Sequence, residues 1–370
     1  MRIEAIEVLE VRVPRTPRNR IITSYAALPD AHNAIVRVRA EGLEGVGEAP
    51  TERWWTGEDA ASVRHAIEQY LAPELIGRDV GLRAALQRME ANLAANPYAK
   101  AAIEMALWDL LGKAAGQPLY ALLGGGPPRP VPIKYVIGRV EPSRARDETQ
   151  FAQSLGFTYV KVKVGGALAD DLARVAAVRD VLRPGQRVGV DANAGWSPVE
   201  ALAALAPLAS AGISFLEQPV AARYPGVMAE LTRRSAVPVV AHESLFTVRD
   251  AYQAAVERVA HIWAVTPSTH GGILPALDIL SVARAAGLPC LIGSTVELGI
   301  ATAAMAHLGA AVDLIADCPV PSDVIGPLYH EGDIVVAQPR LAGGFAYAPD
   351  GPGLGVELDH DAVQKFAVKA

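Results

Sequence analysis

The sequence is poor in what several kinds of protein require. It has two cysteines in 370 residues, Cys290 and Cys318, and no CxxC pair. A disulfide framework or thiolate metal site is thereby excluded, a reducing cytoplasm fits, and both thiols are expected as small buried residues. No run of about eighteen apolar residues occurs, and Met1-Arg2-Ile3-Glu4 does not open a charged-then-apolar leader. A soluble, untargeted, cytoplasmic protein with no membrane partner is expected. Basic excess is missing too: 34 Lys and Arg against 40 Asp and Glu leave a net charge of −6. With no basic stripe to neutralise phosphates, a nucleic-acid partner is not expected. What abounds is apolar material, 51% of the chain, enough for a large core and two domains.

From Ile3 to Pro14, and again in Ala34-Ile35-Val36-Arg37-Val38-Arg39, apolar residues alternate with charged ones, the pattern of antiparallel strands with one wet face. The loop between them is long and carries Arg15, Arg18, Arg20, Ile21, Ile22 and Tyr25. A second polar stretch, Glu48 to Thr56, holds adjacent Trp54 and Trp55. Both are candidate flaps over a ligand. Helical periodicity follows over Asp59 to Leu71, Leu82 to Ala94 and Ala101 to Ala114, and Gly124-Gly125-Gly126-Pro127-Pro128 reads as a linker. The pattern then becomes alternating strands and helices, with strands expected at Val131 to Ile137, Tyr159 to Val164, Arg187 to Ala192, Ser214 to Glu217, Val237 to Ala241, Ile262 to Val265, Pro289 to Gly293 and Asp313 to Ala316. No Gly-rich dinucleotide turn follows the first of these. An α/β fold is expected, a (β/α) barrel (residues 127–325) with an N-terminal α+β capping domain (1–126) and a C-terminal segment (326–370) returning toward the cap. Short strands are expected in that segment at Asp333 to Val336 and Gly353 to Leu358.

Four of the barrel strands end in polar residues that apolar packing does not require: Lys161-Val162-Lys163, Asp191-Ala192-Asn193, Glu217-Gln218-Pro219 and His242-Glu243-Ser244. The steps from Lys163 to Asp191, Glu217 and Glu243 are 28, 26 and 26 residues, about one βα unit each. In a barrel they share the C-terminal rim, where active sites lie. Asp191, Glu217 and Glu243 there make an oxygen-rich shell suited to a hard cation such as Mg²⁺. Lys161 and Lys163, two apart on one strand, face the same way. Beside a dication both are expected to be pushed toward the neutral form, so that a lysine serves as a base.

These residues, with Ala101-Ala102-Ile103-Glu104 through Trp108-Asp109, Leu122-Leu123-Gly124-Gly125 and Pro352-Gly353-Leu354-Gly355-Val356, resemble the enolase superfamily, specifically its mandelate racemase and muconate lactonizing enzyme branch. The resemblance implies a cap whose two loops, near Ile22 and Trp54, close over a carboxylate substrate. It also implies Mg²⁺ held by Asp191, Glu217 and a third acid at the fifth strand, and a homo-oligomer, dimer or octamer. Three departures stand out. His242 occupies the place of the third ligand in the muconate-type pattern, so Glu243 is assigned by analogy with mandelate-type relatives and His242 is kept as the alternative. Thr266 stands where the muconate-type pattern has a second catalytic lysine. The mandelate-type His and Asp pair is missing from the sixth and seventh strands as well.

A two-base racemase or epimerase of an acid or N-acyl amino acid is therefore the alternative. One-sided chemistry through Lys163 is expected instead, as in muconate-like cycloisomerisation or syn elimination of water. His270 is a candidate proton source on the other face, and Glu297 is a candidate rim acid near the substrate or a partner of Lys161 or His270. Asn193, Thr266, Ile22, Tyr25, Trp54 and Trp55 are expected at the substrate, and Arg15, Arg18 and Arg20 are placed to meet a second carboxylate. A barrel that binds without turnover is the alternative of another class.

Overall fold

The computed structural model describes residues 1–19, 22–27 and 29–368; Arg20 and Ile21 lie outside them. The alternating N-terminal segments form an antiparallel three-stranded sheet of β1 (Ile3–Pro14), β2 (Asp30–Ala40) and β3 (Leu43–Ala49). Helices Ala60–Ala66, Leu82–Asn92 and Pro97–Ala115 cover one side, burying Val36, Val38, Ile103, Leu107 and Leu110 between the layers. Asp59 begins the first of these helices with a reciprocal side-chain cap to Ser62, and Gly116, in the left-handed conformation at φ 63°, ends the last.

After a short β4 (Val131–Pro132), seven parallel strands follow in sequence order: β5 (Tyr135–Ile137), β6 (Tyr159–Lys163), β7 (Arg187–Asp191), β8 (Leu216–Glu217), β9 (Val239–Ala241), β10 (Ile262–Val265) and β11 (Cys290–Ile292). Helices lie between successive strands, and Val160, Val162, Val188 and Val190 belong to the large core cluster that these helices complete. The expected eighth strand is a correction: Asp313–Ala316 is a short helix. Residues 320–324 close the ring instead. Ser322 pairs in parallel with Ile133 and its N–H donates to Pro132 O at 2.8 Å, while the Asp323 N–H donates to Ile292 O at 2.8 Å. The expected strands at Asp333 to Val336 and Gly353 to Leu358 are also absent: Val335 and Leu358 form a single antiparallel bridge with each other, and Gly353 bridges Pro118 in parallel. β4 instead joins β12 (Leu341–Ala342) and β13 (Phe345–Ala346) in a small sheet.

Buried carboxylates of the cap fasten it to the barrel. Glu104 Oε2 accepts the Ile273 N–H at 2.8 Å and its Oε1 accepts the Leu274 N–H at 2.9 Å, capping the helix Ile273–Ala286. Gly272, at φ 135°, permits this approach, since a Cβ there would stand 2.5 Å from Glu104 Oε2. Glu48 likewise accepts from the N–H groups of Leu298 and Ala301, at the start of the helix Gly299–Ala311. Asp109 reaches the C-terminal segment, accepting the Leu354 N–H at 2.8 Å. Among the described residues, no helix is long and apolar enough to cross a membrane.

Candidate active site

Parallel register builds the site. Lys163 pairs with Asp191 across β6 and β7, and Asp191 pairs with Glu217 across β7 and β8. Partners in register point to the same side of a sheet, so these three side chains form one row at the strand ends, with Lys161 one pleat below. Lys163 Nζ lies 2.5 Å from Asp191 Oδ2 and 2.7 Å from Asn193 Oδ1. Asn193 also donates its backbone N–H to Asp191 Oδ1 at 2.8 Å and its side-chain amide to Glu243 Oε1 at 2.9 Å. It does so from φ 41°, a costly conformation for a residue other than glycine and of a kind that clusters at functional sites.

Lys161 Nζ contacts Glu217 Oε1 and Oε2 at 3.2 and 3.0 Å, Asp191 Oδ2 at 3.4 Å and Asp323 Oδ2 at 2.7 Å. Burial opposes the charge on Lys161, but the attraction of Asp323, Glu217 and Asp191 outweighs burial and raises its pKa well above the ordinary lysine value. The Asp191 carboxyl is held below its usual range: burial opposes ionisation, and Lys163 and Lys161 outweigh it. Glu243 goes the other way, pushed up by burial and by the negative charge of Asp191.

The three carboxylates do not meet at one point in this arrangement. Among the described residues, no three Asp, Glu, His or Cys side chains are gathered as a metal cluster. The lysine tips lie against Asp191 and Glu217, and Glu243 reaches Asp191 through Asn193. One atom stands out: Glu243 Oε2 is buried with no hydrogen-bond partner, a costly state for a carboxylate oxygen.

Above this floor lies a cavity that opens to solvent. Lys161, Lys163, Asn193, Tyr25, Trp54 and Trp55 all line it. Tyr25 also points its hydroxyl at Glu243 Oε1, 3.5 Å away. Ile22 and Thr266, expected at the substrate, are not in its wall: Ile22 is bridged to Ala27 in the loop, and the fully buried Thr266 has its hydroxyl 2.9 Å from His242 Nε2. Gly293 makes room for that pair, because a Cβ there would stand 2.2 Å from His242 Nε2. The other His242 ring nitrogen lies 3.1 Å from Glu217 Oε1, and Trp55 meets the ring edge-on with centroids 4.7 Å apart.

His270 is placed differently from expectation. Its Nε2 accepts the Thr266 backbone N–H at 2.9 Å and its Nδ1 faces the Phe246 carbonyl at 3.2 Å. Both nitrogens are therefore committed to backbone, and burial pushes the pKa down to about 3, keeping the ring neutral. Glu297 pairs with neither Lys161 nor His270; its carboxylate accepts from the Ser294 hydroxyl and from the Thr295 N–H and hydroxyl. Arg18 turns away to Glu148 and the Phe151 ring, whereas Arg15 lines the cavity. Sequence reasoning missed Asp323 and Lys134. Asp323 lines the cavity, and its Oδ1 lies 3.1 Å from the fully buried Lys134 Nζ. Their partnership spans most of the barrel and leaves no local pattern.

Residues 144–362 match the enolase C-terminal domain-like family, and residues 5–124 match the mandelate racemase and muconate lactonizing enzyme N-terminal domain. The chain belongs to the mandelate racemase and muconate lactonizing enzyme family of enzymes. Its similarity to other members runs end to end. It is 30% identical over 100% of its length to the N-succinyl-L-Arg/Lys racemase of Bacillus cereus, of which it covers 98%. The structure of 2-chloromuconate cycloisomerase from Rhodococcus opacus 1CP superposes with a TM-score of 0.95 at 32% identity, covering 100% of each chain. A dipeptide epimerase from Cytophaga hutchinsonii, solved with Mg and the dipeptide D-Ala-L-Val, gives 0.93 at 28% identity over 100% of this chain and 99% of that one. Family members at this distance thus include cycloisomerases, racemases and epimerases.

Proposed function

We infer that this family member acts on a carboxylic acid by proton transfer at the carbon next to the carboxylate, and that Lys163 takes or gives the proton from one face only. The observation that carries the reading is an asymmetry. Lys163 Nζ lies at the cavity wall, fixed between Asp191 and Asn193, while the end of β10 carries Thr266, sealed under His242, and His270, tied to backbone by both nitrogens. A racemase needs a proton carrier on each face. Among the described residues the second carrier is lacking at β10, which favours cycloisomerisation of a muconate-like acid or syn elimination of water.

A divalent cation, Mg²⁺ in the first instance, fits the donor set of Asp191, Glu217 and Glu243. All are carboxylates, as a hard cation requires, and Glu243 Oε2 is buried without a partner. When bound, such an ion supplies a Lewis acid that acidifies the α-carbon and stabilises charge developing on the carboxylate oxygens. The chain's own residues do the rest. Asn193 positions Lys163 Nζ, and Lys161 Nζ bridges Glu217 and Asp323. In the elimination direction the C–H bond breaks with its proton going to the Lys163 amine, and the C–O bond breaks on the same face as the Lys163 ammonium returns that proton to the departing hydroxyl, which leaves as water. In cycloisomerisation the same amine delivers the proton to carbon. Tyr25, Trp54 and Trp55 line the cavity above.

The test is exchange of substrate α-protons with deuterated solvent, in Mg²⁺, across a library of carboxylic acids. Exchange by the wild type and its loss in Lys163→Ala are expected. Exchange that survives in Lys163→Ala overturns the assignment, and no exchange with any acid favours a barrel that binds without turnover.

A further inference from the structure

Two positions that set this chain apart, His242 after β9 and Thr266 after β10, are partners in the folded protein. The Thr266 hydroxyl lies 2.9 Å from His242 Nε2, its one partner among the described residues. Thr266 is fully buried, His242 is 4% exposed, and neither lines the cavity that Lys163 lines. Neither side chain is therefore placed to touch a substrate. Room for their contact is built into the backbone: at Gly293 a Cβ would stand 2.2 Å from His242 Nε2 and 2.6 Å from Thr266 Oγ1. Trp55 closes over the ring from the cap, edge-on at 4.7 Å.

The other side of the imidazole points at a carboxylate. His242 Nδ1 lies 3.1 Å from Glu217 Oε1. An ionised carboxylate only accepts, so Nδ1 carries a proton and donates it. Lys161 Nζ reaches the same oxygen at 3.2 Å and Oε2 at 3.0 Å. A carboxylate has about four acceptor sites; Oε1 is thus filled by two donors, and Oε2 is the freer oxygen. The His242 backbone is tied to the same strand end, its N–H donating to Gln218 Oε1 at 2.9 Å.

We propose that His242 is a positioning residue for Glu217, and that the Thr266 hydroxyl locks the His242 ring in the orientation that leaves Glu217 Oε2 free for a cation. This rests on the reading of Asp191, Glu217 and Glu243 as the donor set for that cation. Thr266 acts through His242, and His242 acts through Glu217. Without the hydroxyl the imidazole can turn about its Cβ–Cγ bond, Glu217 Oε1 loses a fixed donor, and the carboxylate is no longer held in one orientation. Hydrogen-bond partners that orient a ligand in this way typically change metal affinity by about 10–100-fold when removed.

The test is calorimetric titration of the metal-stripped full chain with Mg²⁺. Thr266→Val keeps the branched shape and removes the hydroxyl, and it binds roughly tenfold or more weakly than the wild type; Thr266→Ser, which keeps the hydroxyl, binds within about twofold of it. A role in packing alone predicts the opposite order, because Val fills the space of Thr better than Ser does. Affinity in Thr266→Val equal to the wild type, or a loss in Thr266→Ser as large as in Thr266→Val, overturns the proposal. If Thr266→Val does not fold, two variants of His242 decide. His242→Asn sets an amide N–H where Nδ1 stands and retains most of the affinity, whereas His242→Phe keeps a ring beneath Trp55 and loses roughly tenfold or more. Equal losses in the two overturn the proposal, as they would if the imidazole itself were a ligand. The two readings separate in the same titration: a wild type that takes up no Mg²⁺ removes the donor-set reading and this proposal with it, and uptake indifferent to Thr266 removes this proposal alone.

Discussion

Lys161 Nζ lies 2.7 Å from Asp323 Oδ2, and the other oxygen of that carboxylate is the counterion of Lys134. One acid thus serves two buried lysines, Lys161 on β6 and Lys134 in the link just before β5. Burial opposes the charge on Asp323, but Lys134 and Lys161 outweigh it and hold its pKa below the ordinary value; Lys134 itself is pushed down by burial. Asp323→Asn strands Lys134 as an unpaired buried cation and is expected to cost about 3–5 kcal/mol in denaturant unfolding. Adding Lys134→Met removes that cation and is expected to restore most of the loss. Additive effects of the two substitutions would contradict the pairing.

Glu243 is expected to be the third ligand of the cation. Titration of the metal-stripped protein with Mg²⁺ is expected to show affinity reduced about tenfold or more in Glu243→Gln, and a chelator is expected to abolish turnover reversibly. Unchanged Mg²⁺ affinity in Glu243→Gln, with affinity lost in His242→Ala, would move the ligand to His242.

Glu104 caps the helix Ile273–Ala286 from the other domain, and its Oε1 also accepts the Trp108 indole N–H at 2.8 Å. Glu104→Ala leaves three buried N–H groups without acceptors and is expected to lower stability by about 2–4 kcal/mol. A thermal melt of the variant matching the wild type would show that the cap does not depend on this contact.

His270 carries a pH signature. Its folded pKa of about 3 lies below the ordinary 6.5, so the unfolded chain binds the extra proton as pH falls. The stabilisation is fully present above pH 6.5 and is lost progressively toward the folded pKa, about 2 kcal/mol of it by pH 5. Unfolding measured from pH 7 to pH 5 is therefore expected to fall less steeply in His270→Gln than in the wild type. Parallel profiles would mean that the ring is not held neutral.

Much of this site was legible because barrel strands are apolar except at their working ends. Lys161, Lys163, Asp191 and Glu217 stand out against the apolar residues that precede them, and matched spacing makes them one row. The closing segment was not legible. Asp313 to Ala316 has a strand's composition, yet ring closure falls to Ser322 and Asp323, which carry almost no apolar signal and are ordered by hydrogen bonds to Pro132 and Ile292. Lys134 and Asp323 find each other only in three dimensions. Glu104 and Asp109 stand in a recognisable motif and Glu48 opens a candidate flap, but that all three accept hydrogen bonds across the domain boundary depends on geometry no local pattern encodes. His270 shows the same limit: its residue type suggests a proton carrier, and its two backbone bonds decide otherwise.

The central claim is one-sided chemistry at Lys163. It is tested most directly by incubating a single enantiomer of an α-deuterated substrate acid with the Mg²⁺-loaded enzyme in ordinary water, and following deuterium loss and optical purity together. The account predicts washout of the label with configuration retained, abolished in Lys163→Ala. Racemisation keeping pace with washout would contradict it, because a proton would then be arriving on the face where this chain has Thr266.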